Sequence, residues 1–240
     1  MTGVPVSVTS ITNDADFSPG PVSPGELVVI WGSGLGPATL TSFMTTPAGA
    51  IPRTFAGTTV TFNNYTAPVV YTSAGSVCVI VPYEVAGLSS ATVVVRYNGS
   101  APASFTQSVA PTAPHFFTTS YAPVGQIVGL DSDYSVNSAN NPAPPGSVVV
   151  LYATGEGVTS PPGVDGTVVG SMLTQPLANA VVMIGGQRAE LLYAGGAPGI
   201  VEGVLQVNAR IPAGTSSGNA PVSLQIGSAV TPAGATIAVR

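Results

Sequence analysis

The chain has 240 residues and a formal net charge of −5, with only 6% of its residues charged. An ordinary soluble domain has about 25%. The five basic residues are all arginines, so the clustered lysines and arginines that bind nucleic acids or anionic membranes are missing. No apolar run reaches the roughly 18 residues that a membrane span needs. Composition therefore predicts no nucleic-acid partner and no membrane insertion.

Hydrophobic residues make up 45% of the chain, and so little charge gives a poorly soluble monomer. We expect either a secreted protein with a hydroxyl-rich surface or a subunit that buries its surface against copies of itself. The first residues lack the basic and apolar regions of a signal peptide. Either the chain is intracellular, or a signal peptide is not in the numbered chain. The composition favours the second, so we expect an extracellular or cell-surface protein.

Cys78 is the single cysteine, so no disulfide can form within the chain. It lies in the apolar run Val77–Val81, which is typical of a buried and unreactive thiol.

Near the N-terminus, apolar residues alternate at Val4, Val6 and Val8 and are followed by Ile11. This alternation predicts a β-strand, and Pro5 places it at a sheet edge. The strand could complete its own sheet or, by strand addition, the sheet of a neighbouring subunit. These four apolar residues are the candidate subunit contacts.

The segment from Pro24 to Gly36 returns as Pro145 to Gly157. In each copy a Pro-Gly turn leads into an apolar run that ends in an aromatic residue, followed by a glycine-rich loop. A duplication of this kind predicts two domains of one fold. We place them at residues 1–112 and 113–240.

Short strand patterns bounded by turn-forming residues recur in the same order in both halves. They lie at Leu27–Trp31, Thr58–Phe62, Val69–Tyr71, Val77–Val81, Ala91–Tyr97 and Ser104–Val109, and then at Gln126–Leu130, Val148–Tyr152, Ala180–Ile184, Glu190–Ala194, Val204–Pro212, Pro221–Ile226 and Ala235–Val239. The 23 prolines and 29 glycines leave room for no more than a helical turn near Tyr83–Ala86. The fold class predicted is all-β, with two tandem Ig-like β-sandwich domains.

Several spaced motifs carry a family resemblance. They are Ser23–Pro37, Val81–Gly87, Leu151–Gly157, Leu192–Gly199, Leu205–Asn208 and Ala238–Arg240. Together they resemble an uncharacterised secreted C-terminal domain family of Solibacter and other Acidobacteria, and each half more distantly resembles the IPT/TIG branch of Ig-like folds. The resemblance implies an extracellular β-rich module with no assigned catalytic residues. Ser76-Val77-Cys78 departs from the Gln-x-Asn that the second copy keeps at Gln206–Asn208.

The sequence offers no convincing catalytic, cofactor or metal site. The glycines of Gly32–Gly36 lack the lysine and the helix of a phosphate loop and predict a turn. His115 is interpreted as an interdomain packing or capping residue. Asp131–Asn137 lacks the glycine and the closing glutamate of an EF-hand, so it favours an Asx-turn. Glu156 and Asp165 are expected to be solvated loop carboxylates.

Among the aromatic residues, Trp31 ends an apolar strand and is expected in the core. The candidate ligand or interface aromatics are Tyr65, Tyr97, Tyr121 and Tyr134.

Two functions remain open. The first is a non-enzymatic structural protein of the cell exterior, assembled into a fibre or layer through the N-terminal strand. The second is a polysaccharide-binding or adhesion module that uses the loop tyrosines. A monodisperse monomer disfavours the first, and the absence of any retention on sugars disfavours the second.

Overall fold

The computed structural model describes residues 5–43 and 49–240, and within them the protein is built of β-strands and loops. One 3₁₀ turn, Tyr83–Val85, is the only helical element in this part of the chain, at the place where the sequence predicted a helical turn. None of the described helical residues forms a segment long and apolar enough to cross a membrane.

The strands up to residue 108 form the first sandwich. They are β1 (Ser7–Asn13), β2 (Leu27–Ser33), β3 (Thr41–Ser42), β4 (Thr54–Phe55), β5 (Thr58–Phe62), β6 (Tyr65–Thr66), β7 (Val69–Thr72), β8 (Ser76–Ile80), β9 (Ser90–Tyr97) and β10 (Ala103–Ser108). One sheet has the order β1-β2-β8-β7-β3, and the other has the order β10-β9-β5-β4, with β6 paired to β5.

The second sandwich contains the strands from residue 115 onward. They are β11 (His115–Phe116), β12 (Gly125–Gln126), β13 (Gly129–Leu130), β14 (Val148–Thr154), β15 (Thr159–Ser160), β16 (Gln175–Pro176), β17 (Ala180–Ile184), β18 (Gln187–Arg188), β19 (Glu190–Gly196), β20 (Leu205–Arg210), β21 (Gly218–Ile226), β22 (Ala229–Val230) and β23 (Ala235–Val239). Its main sheets have the orders β11-β14-β20-β19 and β12-β23-β21-β17-β18, while β15 and β16 form a separate pair.

The order of strands shows the duplication in three dimensions. The series β1-β2-β8-β7 in the first sandwich corresponds to β11-β14-β20-β19 in the second. Both β7 and β19 carry an irregularity just before a tyrosine, Tyr71 or Tyr193. The predicted all-β fold with two tandem Ig-like sandwiches is confirmed.

Each sandwich has its own core. Side chains that alternate inward from both sheets meet between them. Four consecutive residues are buried in β2 and four in β8. Among their largest members are Ile30, Leu35 and Phe62 in the first half and Leu151, Leu205 and Ile237 in the second.

The predicted strand Gln126–Leu130 is wrong as a single element. It is divided into β12, which pairs with β23 of one sheet, and β13, which pairs with β14 of the other. Ile127 lies between them and is fully buried. The chain crosses from one sheet to the other at this point, so its apolar residues serve both.

The N-terminal strand β1 completes its own sheet by pairing with β2. Ile11 is buried, and Val6 and Val8 are half-buried against the core of the same sandwich. Val4 lies outside the described residues. The sequence allowed this strand to join its own sheet or the sheet of a neighbouring subunit, and its described part joins its own sheet.

An apolar cluster joins the two sandwiches. Leu27, Ile51 and Ile80 of the first half pack with Ala197 and Val204 of the second. Backbone hydrogen bonds support this contact, since the Ile51 N–H donates to the Gly166 carbonyl at 2.7 Å and the Val168 N–H donates to the Gly49 carbonyl at 3.2 Å. The two halves therefore share a common interface.

The segment between the sandwiches, residues 111–114, lies tightly against the loop after β14. The Ala113 N–H donates to the Gly155 carbonyl at 2.8 Å. Gly155 has φ +90°, and a Cβ atom there would lie 1.8 Å from the Ala113 carbonyl oxygen. Only glycine permits this approach, because both the backbone conformation and the space exclude a side chain.

Candidate functional site

An acidic cluster lies at the junction of the two sandwiches. It comprises Glu26 of the first half and Glu156, Asp165 and Glu202 of the second, together with the phenol of Tyr83. The side chains of all four acids are at least nine-tenths buried. Sequence reasoning predicted Glu156 and Asp165 to be solvated, and that prediction is wrong, because loops of both halves cover them.

Glu26 is hydrogen-bonded through both carboxyl oxygens. The Asn13 side-chain amide donates to Oε1 at 2.8 Å, and the Ser23 N–H donates to Oε2 at 2.6 Å. Burial raises the pKa of Glu26 to about 8, although these hydrogen bonds oppose the rise. At neutral pH Glu26 is therefore mostly a neutral acid that ties β1 to the turn before β2.

Glu156 is buried without compensation. Among the described residues neither carboxyl oxygen has a hydrogen-bond partner. Burial raises the pKa of Glu156 to about 8, and the charge of Glu202 makes a smaller contribution in the same direction. The nearby backbone N–H of Glu156 opposes this rise, although it makes no hydrogen bond of good geometry. In the repeat Glu156 corresponds to Leu35, which is fully buried in the first core.

Asp165 connects the loop after β15 to the first sandwich. Its carboxylate accepts a hydrogen bond from the Tyr83 N–H at 3.0 Å and pairs with Arg53 at 3.3 Å. Burial nevertheless raises the pKa of Asp165. The ring of Tyr83 lies so close to Gly25 and Gly163 that a Cβ atom at either position would approach it within 2.7 Å.

The cluster has no arrangement suited to metal binding. Among residues 5–43 and 49–240, no set of three or more His, Cys, Asp or Glu side chains is placed to hold an ion. With Glu26 and Glu156 mostly protonated at neutral pH, the cluster also carries little of the negative charge that attracts a cation.

His115 lies between the sandwiches, as predicted. Its Nδ1 lies 2.8 Å from the Asp16 carboxylate. Burial alone would raise the pKa of Asp16, but hydrogen bonds with His115 and Ser18 outweigh burial and lower it. The chain's one histidine is therefore a link between the halves.

An aromatic row, made of Trp31, Phe17 and Tyr121, crosses the same junction. The Phe17 ring meets Trp31 edge to face at 5.5 Å and stacks on Tyr121 at 5.7 Å with an interplanar angle of 12°. Trp31 is half-buried, so the expectation that it lies in the core is wrong. It donates from Nε1 to the Thr12 hydroxyl at 2.9 Å.

The four candidate tyrosines are spread over the molecule. Tyr65 lies on β6 and Tyr97 ends β9, whereas Tyr121 and Tyr134 lie in loops of the second half. In the described part of the chain, only Tyr121 of these four stacks on another ring. Phe17, which sequence reasoning did not select, is the residue that makes this stack.

A groove on the second sandwich begins at Tyr121, and we call it the junction groove because its lining residue Val204 also belongs to the apolar cluster between the halves. Its lining residues are Phe117, Thr118, Thr119, Tyr121, Val128, Leu130, Tyr152, Ile200 and Val204, and its volume is about 740 Å³. None of these nine side chains is charged, and hydroxyl groups come from two threonines and two tyrosines.

The loop Asp131–Asn137 contains the predicted Asx-turn. The Ser135 N–H donates to Asp133 Oδ1 at 3.0 Å. The two oxygens of Asp131 accept hydrogen bonds from Asn137 and Asn141 at 2.8 and 3.1 Å. The loop's acidic groups are thus used to hold the loop itself.

Cys78 is fully buried on β8, and burial raises its pKa well above the usual value. We expect the native protein not to react with a thiol reagent such as DTNB at pH 8, and to release one equivalent of thiolate once urea unfolds it. Absorbance at neutral and denaturing conditions measures this directly. Rapid reaction of the folded protein would contradict the assignment of an inert thiol.

Comparison with known proteins agrees with this fold. Residues 7–108 match the sequence profile of the IPT/TIG domain. No curated protein matches the chain. A solved structure of domains 5–6 of the S-layer protein SbsC aligns over 98% of both chains at 14% identity and a TM-score of 0.26. At that TM-score the two structures do not superpose as a whole, so the match assigns no function. The family match thus covers the first sandwich, which is similar to IPT/TIG domains over residues 7–108.

Proposed function

We propose that this protein is a non-enzymatic structural protein of the cell exterior that associates with copies of itself. The observation that carries the proposal is an exposed apolar patch on the second sandwich. Scarce charge and the resemblance to the secreted Solibacter-type family support the exterior location.

The patch contains Val158, Leu177 and Leu192, all more than one-third exposed. Leu177 and Leu192 are 69% and 47% exposed and line one shallow groove of about 440 Å³. The Leu177 N–H donates to the Val158 carbonyl, which holds these two residues in one surface. Contiguous exposed apolar side chains of this kind mark contact surfaces.

The patch borders an open sheet edge. In the first sandwich β3 pairs along the outer side of β7. In the second, the corresponding strand β19 receives only a contact near its end, where the Gly196 N–H donates to the Thr174 carbonyl. Within the described residues, the backbone of Glu190–Ala194 pairs with β20 alone. This edge can accept another strand.

The edge strand β1 of a second copy is the proposed partner surface. Val8 and Ile11 of β1, and Val6 just before it, pack against their own core, so β1 would contribute backbone and hydroxyl groups. Both edges carry irregularities, at Val8–Ser10 and Leu191–Tyr193, which limit pairing to short runs. The side chains of the patch would then supply most of the contact energy.

We expect wild-type protein to form larger species as its concentration rises, and the double variant Leu177→Glu/Leu192→Glu to remain monomeric. Both leucines are exposed, so the charges disrupt association without disrupting the core. Sedimentation velocity measures the change. Leu40→Glu, at an exposed leucine of the first sandwich, is the matched control and should associate like the wild type.

A wild type that stays monomeric at every concentration would overturn the proposal, as would a double variant that assembles normally. Because the patch and β1 are different surfaces, their contact is head-to-tail. The double variant retains β1 and should therefore cap growing wild-type assemblies when added in small amounts.

A further inference from the structure

The aromatic row is built on two unfavourable backbone conformations. Phe17 and Tyr121 have φ +55° and +52°, although both are bulky residues. Bulky side chains rarely adopt this left-handed region, and such conformations concentrate at functional sites. The two residues come from opposite sandwiches, yet their rings stack on each other.

Hydrogen bonds fix the two loops that carry Phe17 and Tyr121. The Asp16–His115 pair, with a distance of 2.8 Å, connects the loop that carries Phe17 to the strand before the Tyr121 loop. The Thr118 hydroxyl donates to the Ala122 carbonyl at 2.7 Å and accepts from the Ala122 N–H at 3.1 Å, which closes the loop around Tyr121. The rings are therefore positioned before any ligand arrives.

The rings remain open to solvent. Phe17 is 36% exposed and Tyr121 is 64% exposed. Tyr121 also lines the junction groove, where Phe117 and Tyr152 present further aromatic surface. Stacking surface thus runs from Trp31 through Phe17 and Tyr121 into the groove.

The chemistry of this surface suits one class of ligand. One face of a pyranose ring presents C–H groups that pack against aromatic rings, while its hydroxyls need hydrogen-bond partners at the edge. The groove offers hydroxyl groups from Thr119, Tyr121 and Tyr152, whereas the buried Thr118 hydroxyl is used within its own loop. With no charged side chain in its lining, it gives no counter-charge to a uronic acid or a sulfated sugar.

We propose that the aromatic row and the junction groove form a binding site for an uncharged polysaccharide. The site goes beyond self-association and does not depend on it, because the patch at Leu177 and Leu192 is a separate surface.

The test measures retention of the intact protein on cellulose, chitin, xylan and β-1,3-glucan, with alginate as a charged comparison. We expect retention on at least one neutral polysaccharide and a shift in the emission of Trp31 when a soluble oligosaccharide of the same type is added. Tyr121→Asn should reduce the affinity at least tenfold. Asparagine tolerates positive φ, so this variant removes the ring and keeps the loop.

Tyr134→Asn is the matched control, since Tyr134 is also exposed and has φ +66° but lies away from the row. It should bind like the wild type. The same measurements on Leu177→Glu/Leu192→Glu separate this site from self-association, and retention there should be unchanged. No retention on any neutral polysaccharide, equal losses in both tyrosine variants, or binding only to alginate would each overturn the proposal. The proposal would also be overturned if only Leu177→Glu/Leu192→Glu lost retention, because retention would then depend on association between copies.

Discussion

Replacing Glu156 with leucine is expected to stabilise the protein at pH 8 by about 2–5 kcal/mol. The upper figure follows from a pKa near 8 in place of the usual 4.5, at about 1.4 kcal/mol per pKa unit. Leucine is the residue that the first sandwich carries at the corresponding position, Leu35, where it is fully buried. Urea unfolding of the wild type and Glu156→Leu at the same pH measures the difference.

The gain should depend on pH in a defined direction. When folding raises the pKa of an acid, its ionisation lowers the free energy of unfolding. This loss is absent below the unfolded pKa, near 4.5, and increases as pH rises toward about 8. The wild type should therefore lose stability between those values, and Glu156→Leu should lose less. Glu26, whose pKa is also about 8, and other acids whose pKa burial raises, such as Asp165 and Glu202, would supply the pH dependence that remains.

The control is Glu190→Gln, which changes an exposed carboxylate of the same sandwich that pairs with Arg210. Its effect should stay below about 1 kcal/mol at either pH. A Glu156→Leu variant that is destabilised at pH 8, or whose stability follows the wild-type pH profile, would contradict the burial described here.

Gly155→Ala is expected to destabilise the protein by about 3–5 kcal/mol, which combines a left-handed backbone with steric overlap. The new methyl group would lie 1.8 Å from the Ala113 carbonyl oxygen, so the segment between the sandwiches must move. Thermal and urea unfolding measure the loss.

Gly146→Ala separates the two causes. Gly146 has φ +85°, close to the +90° of Gly155, but a methyl group there meets no atom within 4 Å. It should cost only the roughly 1–2 kcal/mol of the backbone conformation. Equal losses in the two variants would show that the close approach of residues 111–114 contributes nothing.

Local patterns were sufficient for most of the fold. The strand β5 was predicted with its observed ends, and the apolar runs that became β2 and β14 were recognised because β-branched residues are bounded by glycine and proline. The single strand predicted at Gln126–Leu130 failed because its residues pair with two different sheets. Local periodicity does not report which sheet a strand joins.

The candidate sites were harder to predict because they depend on contacts between the halves. Glu156 sits in a glycine-rich loop that looks solvated, and only packing by residues distant in sequence buries it. One signal for its burial was available, since Glu156 occupies the position in the repeat that corresponds to the apolar Leu35. No comparable signal marked Phe17, whose role requires Trp31 and Tyr121 from other elements.

The apolar cluster shared by the sandwiches has a consequence for how the molecule can be divided. A fragment that ends after β10 would uncover Leu27 and Ile80, which the intact chain keeps away from water. The isolated first half would thus display an adhesive surface of its own, unrelated to the contacts of the native protein. Clustering or ligand binding measured on the isolated first half would therefore reflect the newly exposed Leu27 and Ile80. Both properties should be measured on the intact chain.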